Sequence, residues 1–140
     1  MEVFETDGPA ATEAVGADLA ARLAAGDLVH VRGDLGAGKT TLVRGACRAL
    51  GVRVPVTSPT FAIAHRYGAA DGLVVAHVDL YRLGGLERED PDLLADYVGR
   101  DRITFVEWPP ASAGELGTAP RMTVELTHLR GDRRRVEVRG

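Results

Sequence analysis

A chain of 140 residues has room for one domain with one sizeable core and little left for a second. Its 45% apolar and 26% charged residues are ordinary for a soluble globular protein, and a net charge of −3 argues against broad, non-specific nucleic-acid binding, although the run Arg133, Arg134, Arg135 leaves room for a local basic patch. The single cysteine, Cys47, excludes an internal disulfide, Met1–Pro9 is too polar for a signal peptide, and no apolar run approaches the ~20 residues of a bilayer span, so a soluble, cytoplasmic chain without membrane association is expected.

In chain order, Val3–Glu5 reads as a short first strand. Asp7, Gly8 and Pro9 then read as a helix start with Asp7 as N-cap. Val15, Leu19 and Leu23 follow at helical spacing, with Gly26 as the stop. Leu28–Arg32 is a short strand running into a glycine-rich loop, and Thr40–Leu50 is the next helix, with Leu42, Val43, Ala46 and Leu50 on one side. Pro55 and Pro59 bracket a loop over Val56–Thr60. Phe61–Tyr67 and Leu73–Val78 read as two strands joined by the turn Ala69–Gly72. Asp90-Pro91 opens another helix, with Leu93, Leu94 and Val98 as its modest apolar face. Ile103–Val106 is a short apolar strand ending in Glu107-Trp108-Pro109, and Ala111–Pro120 is loop. Met122–His128 and Arg134–Arg139 alternate like an edge hairpin about the turn Arg130-Gly131-Asp132. Strands alternating with helices predict one α/β domain over 1–140, with a mixed, mostly parallel sheet flanked by helices and extended by antiparallel strands.

The loop Gly33-Asp-Leu-Gly-Ala-Gly-Lys-Thr40 fits the phosphate-binding pattern G-x-x-x-x-G-K-[ST]. Gly33, Gly36 and Gly38 permit backbone conformations closed to residues with a Cβ, and with Ala37 they let successive N–H groups turn inward on a phosphate. The helix that follows aims its positive dipole end at the same anion. Lys39 should reach the β- and γ-phosphates, the Thr40 hydroxyl should ligate Mg²⁺, and Thr41 is placed to meet an α-phosphate oxygen. The chain has no Asn and no Gln, and its one lysine among 16 arginines is the lysine of this loop. The bland reading, a glycine-rich turn before a helix, is disfavoured because the pattern follows a predicted strand and opens an amphipathic helix. ATP with Mg²⁺ is the expected ligand.

Such sites need a second carboxylate at a neighbouring strand end. Asp79 ends one apolar strand and Glu107 ends another, both where ligands bind in open α/β sheets. One would hold the metal and the other would position water or act as base; spacing leaves open which does which. With Lys39 they form the candidate catalytic set. Ser58-Pro59-Thr60-Phe61 has two hydroxyls about a stiff proline and reads as a nucleotide-sensing switch or as a polar connection. Trp108 is read as packing or as a ligand or partner contact. Arg82 is an internal arginine finger, a helix-end charge or a partner for Asp79. His30, His65, His77 and His128 fall in strand patterns, show no metal-ligand spacing and read as structural.

Taken together, the loop Gly33–Thr41, then Ser58–Phe61, then His77-Val-Asp79-Leu-Tyr81-Arg82-Leu, then Val106-Glu107-Trp108-Pro109 resemble the TsaE (YjeE) family in order and length over nearly the whole chain. The resemblance implies a P-loop NTPase-like domain and an ATPase of bacterial tRNA threonylcarbamoyladenosine biosynthesis. It implies a TsaD–TsaB partner pair that modifies adenosine next to the anticodon, with tRNA contact through those partners. It implies Mg²⁺ on Thr40 and Glu107, a functional role for Asp79, and a switch or partner region that includes Ser58, Pro59, Thr60, Phe61, Tyr81, Arg82 and Trp108. Adenine would be held near the termini, with Pro9, Asp132 and Arg133 as candidates. The competing readings are a P-loop kinase, for which the chain has little left over to form an acceptor site or lid, and a nucleotide-dependent interaction module. A GTPase is excluded, because the guanine-reading Asn-Lys-x-Asp needs an Asn, and no Gln is present to orient water.

Overall fold

The computed structural model describes residues 1–34, 36–57, 64–80, 98–107 and 119–140. Their elements are β1 (Glu2–Thr6), α1 (Pro9–Ala20), β2 (Leu28–Arg32), α2 (Lys39–Ala49), β3 (Ala64–Gly68), β4 (Val74–Asp79), β5 (Arg102–Glu107), β6 (Met122–His128) and β7 (Arg134–Arg139). The strands form one seven-stranded sheet in the order β1-β7-β6-β2-β5-β4-β3. β4, β5, β2 and β6 are mutually parallel, while β3 and β7 run against their neighbours. β1 is antiparallel to β7 and so returns to the parallel direction. The expected α/β domain with a mixed, mostly parallel sheet is what forms.

The central strands are short runs of β-branched and other apolar residues, the pattern of strands covered on both faces. Val29 and Val31 of β2, Ile103 and Phe105 of β5 and Val75 of β4 join one core with Leu42, Val43, Ala46 and Cys47 of α2 and Val15 and Leu19 of α1. The alternate residues Leu28, His30, Ala76, Val78, Thr104 and Val106 are buried as well.

Three local expectations change. The N-cap of α1 is Gly8, not Asp7, and no side chain caps it. Thr12 instead ties the helix start down, donating to the Gly8 carbonyl at 3.3 Å and sharing a 2.8 Å hydroxyl bond with Thr6. Gly26 does not stop α1, which ends at Ala20; with φ +99° it closes the turn into β2, its N–H on the Arg102 carbonyl at 2.8 Å. The β6–β7 hairpin is not at an edge, because β6 lies against β2 and β1 covers β7. Alternation reports one buried face and is silent about whether a further strand adds on. Val98 is described, whereas the helix start at Asp90 and its Leu93 and Leu94 lie outside the described residues.

α1 and α2 touch backbone to backbone. A Cβ on Gly16 of α1 would lie 2.1 Å from the Leu42 carbonyl oxygen, and one on Gly45 of α2 would lie 2.0 Å from that of Glu13. Glycine inside a helix costs about 1 kcal/mol relative to alanine. Here that cost is offset by a crossing that larger residues would prise apart. Arg44 and Arg48 of α2 flank the crossing with ion pairs to Glu13.

Gly45→Ala should therefore destabilise the protein by about 1–3 kcal/mol in urea unfolding, despite alanine's better helix propensity. A change below about 0.5 kcal/mol would show that the helices separate freely. Cys47 yields a second expectation. Burial pushes its thiol from an ordinary value near 9 up to about 12. Below about pH 9 the thiol is protonated in both states. Between there and about pH 12 only the unfolded chain loses the proton, so stability falls as pH rises across that window. Cys47→Ala should flatten that alkaline loss, read as melting temperature against pH.

Candidate nucleotide site

β2 ends at Arg32 and α2 begins at Lys39, so the loop between them leaves the sheet at the C-terminal end of a central strand. Gly33 passes so close to β6 that a Cβ would sit 2.7 Å from the Leu126 carbonyl oxygen. Gly38, in the left-handed region at φ +100°, is the N-cap of α2. Both positions need glycine for a stated reason, one for space and one for conformation. Ala37 is buried and donates its N–H to the Asp34 carbonyl at 3.0 Å. Leu35 lies outside the described residues.

Lys39 opens α2 and is only 6% exposed. Its Nζ donates to the carbonyls of Gly33 at 2.6 Å and Asp34 at 2.8 Å, so the ammonium sits inside the curve of the loop. Burial pulls it below the usual lysine range, against the opposing pull of Glu107, Asp79 and Asp34.

β4 and β5 bring the two candidate acids together. Asp79 and Glu107 are register partners at the C-terminal ends of adjacent parallel strands, and Glu107 is also the partner of Val31 in β2. Glu107 is 2% exposed. Thr40 donates from Oγ1 to its Oε2 at 3.0 Å and lies 3.3 Å from Oε1. The question that spacing left open thus has a geometric observation behind one answer: the hydroxyl expected at a metal meets Glu107. A hydroxyl and a carboxylate are hard oxygen donors, the set that suits Mg²⁺ when phosphates complete its shell. Among the described residues no cluster of three His, Cys, Asp or Glu forms an all-protein metal cage.

One residue read as structural belongs here. His77 lies two places before Asp79 on β4, and its Nε2 is hydrogen-bonded to Glu107 Oε2. The signal was present in the strand period, since residues two apart share a face and Asp79 was already placed at the site.

A small cleft beside the loop is lined by Gly8, Pro9, Thr12, Gly38, Thr41 and Asp132, together with Arg134. Thr41, read as meeting an α-phosphate oxygen, thus shares a cleft with Pro9 and Asp132, two of the adenine candidates. The arginine there is Arg134, which donates to the Gly36 carbonyl at 3.1 Å, whereas Arg133 turns to Glu5 at 3.2 Å. Ser58, Pro59, Thr60, Phe61, Tyr81, Arg82 and Trp108 lie outside the described residues.

Fold and site together define an α/β domain whose glycine-rich loop, buried lysine and strand-end acids converge at one end of a central strand. The family described as "Threonylcarbamoyl adenosine biosynthesis protein TsaE" matches residues 6–136. The chain is 46% identical over 119 residues to a TsaE from Streptomyces coelicolor, covering 84% of this chain and 80% of that one. It is 43% identical over 112 residues to a TsaE from Synechocystis, covering 78% and 70%. The crystal structure of Bacillus subtilis YdiB superposes with a TM-score of 0.67 at 30% identity, over 98% of this chain and 82% of that one. This chain belongs to the TsaE family.

Thr40→Val keeps the shape of residue 40 and removes the donor to the buried Glu107 carboxyl. It should cost about 1–3 kcal/mol in urea unfolding, and Thr40→Ser should restore most of that. Equal stability of the Val and Ser variants would show that the hydroxyl does not hold the carboxyl.

Proposed function

We propose that this chain is the ATP-binding, slowly hydrolysing subunit of the bacterial tRNA threonylcarbamoyladenosine machinery, working in the cytoplasm with the TsaD–TsaB pair. Membership of the TsaE family supports the pathway. The observation that carries the nucleotide reading is the convergence of Lys39, Thr40 and Glu107 at the β2–α2 junction. No helix among the described residues is long and apolar enough to cross a membrane.

In this reading the N–H groups of Gly36–Thr41 and the start of α2 bind the phosphates. Lys39 exchanges its two loop carbonyls for β- and γ-phosphate oxygens, and its partial burial strengthens that contact. Thr40 and Glu107 hold Mg²⁺, which neutralises charge building up on the phosphates. Asp79, beside Glu107, orients the attacking water or accepts its proton. The cleft at Pro9, Thr12 and Arg134 receives the nucleoside. With no Gln anywhere in the chain to position water, intrinsic turnover is slow and the partners supply what is missing.

Steady-state phosphate release from ATP by the isolated chain should be slow, and should rise when TsaD–TsaB is added. Glu107→Ala should lower the stimulated rate by about tenfold or more. Glu125→Ala, an exposed change on β6, should leave it unaltered. Fast hydrolysis by the chain alone, or equal effects of the two substitutions, would sink this reading.

A further inference from the structure

The β4 position of His77 is an expensive place for an imidazole. The side chain is 0% exposed, its strand neighbours are Val75, Ala76 and Val78, and its Nδ1 has no hydrogen-bond partner among the described residues. A buried polar atom left unpaired costs about 1–3 kcal/mol, and an apolar residue would fill the site without that cost. Positions that break a local rule in this way are concentrated at functional sites. The other ring nitrogen shows what the expense supports. Nε2 meets Glu107 Oε2, and since a carboxylate only accepts, Nε2 carries the hydrogen.

The same Oε2 also takes the shorter contact from Thr40, at 3.0 Å, while Oε1 has only the looser one at 3.3 Å. Glu107 is therefore gripped by one oxygen from two sides. β4 supplies one donor and the first turn of α2 the other. The carboxyl plane is fixed, and Oε1 is the oxygen left to turn toward a ligand.

We propose that His77 is a positioning residue for the metal-holding carboxylate: it donates Nε2–H to Glu107 Oε2 and so presents Oε1 to Mg²⁺ beside Thr40. His77 itself touches neither metal nor nucleotide. The proposal rests on the reading of Glu107 as a metal ligand given above. Hydrogen-bonded partners of ligating groups set their orientation and basicity, and losing one typically lowers metal affinity about 10–100-fold.

The test is calorimetric titration of ATP into the full chain, in EDTA and again in MgCl₂, alongside thermal melting. The ratio of the two affinities is the gain due to magnesium. His77→Leu fills the volume without a donor. It should keep the affinity in EDTA and cut the magnesium gain by about tenfold, with the melting temperature reading separately the loss of one donor to the buried carboxyl. His77→Gln, whose amide can reach the same oxygen, should keep most of the gain. If His77→Leu does not fold, His77→Asn, with an amide one methylene shorter, takes its place with the same expected loss. An undiminished magnesium gain in His77→Leu overturns the proposal, and so does an equal loss in the Leu and Gln variants, which would point to packing. Glu107→Ala separates the two levels. If it too keeps the gain, the metal role of Glu107 fails. If it loses the gain while His77→Leu does not, only the positioning role fails.

Discussion

The burial of one carboxyl group organises this end of the molecule. Glu107 is nearly inaccessible to solvent, and a group of that polarity is tolerated inside a protein only where donors meet it. Its donors come from His77 on β4 and Thr40 in the first turn of α2. Satisfying it therefore fixes three things at once: the pairing of β4 with β5, the seating of α2 over the sheet, and the exit of the glycine-rich loop from β2. The low-dielectric surroundings that make the carboxyl costly also strengthen its interaction with any cation brought beside it.

α2 can serve this site because it is also held by α1. The glycine crossing with α1 lets the two helix backbones approach until carbonyl oxygens fill the space a Cβ would take. The helix is thereby held by α1 as well as by the sheet, and its N-terminus is aimed by packing rather than by the loop alone. A loop with left-handed or otherwise glycine-dependent backbone at Gly33, Gly36 and Gly38 has little stiffness of its own. Its shape is imposed by the strand before it and the pinned helix after it.

Much of this was legible in the sequence. Leu28–Arg32, Met122–His128 and Arg134–Arg139 were read with their observed bounds, the first because a short apolar run before a glycine-rich loop marks a buried strand, the other two because period-2 burial is written directly into residue order. The loop was legible because its glycines, lysine and threonine have separate mechanical reasons to be where they are. Three other features were not legible, each because it depends on a partner far along the chain. The choice between Asp79 and Glu107 turns on Thr40, which stands 67 positions before Glu107. The place of His77 beside the loop turns on its hydrogen bond to Glu107, 30 positions later. The hairpin looked like an edge because nothing in its own residues announces that β1 pairs alongside β7. Asp7 was displaced as N-cap for a local reason: Thr12 ties the turn from inside the helix and makes a side-chain cap unnecessary.

The pairing of β1 with β7 joins strands from opposite ends of the sequence, with Glu2 opposite Val138 and Thr6 opposite Arg134. The small cleft beside the loop adjoins the Thr6–Arg134 end of that pair, lined by Gly8, Pro9 and Thr12 and by Asp132 and Arg134. During synthesis the glycine-rich loop is made long before the β6–β7 hairpin, and the cleft beside it has only one wall until that hairpin follows. A nascent chain that lacks β7 therefore carries the glycine-rich loop without the complete cleft beside it. The cleft is completed only with the closing of a contact of very high sequence separation, β1 against β7. The fold thereby makes the shape of the cleft depend on the last of the seven described strands to be made.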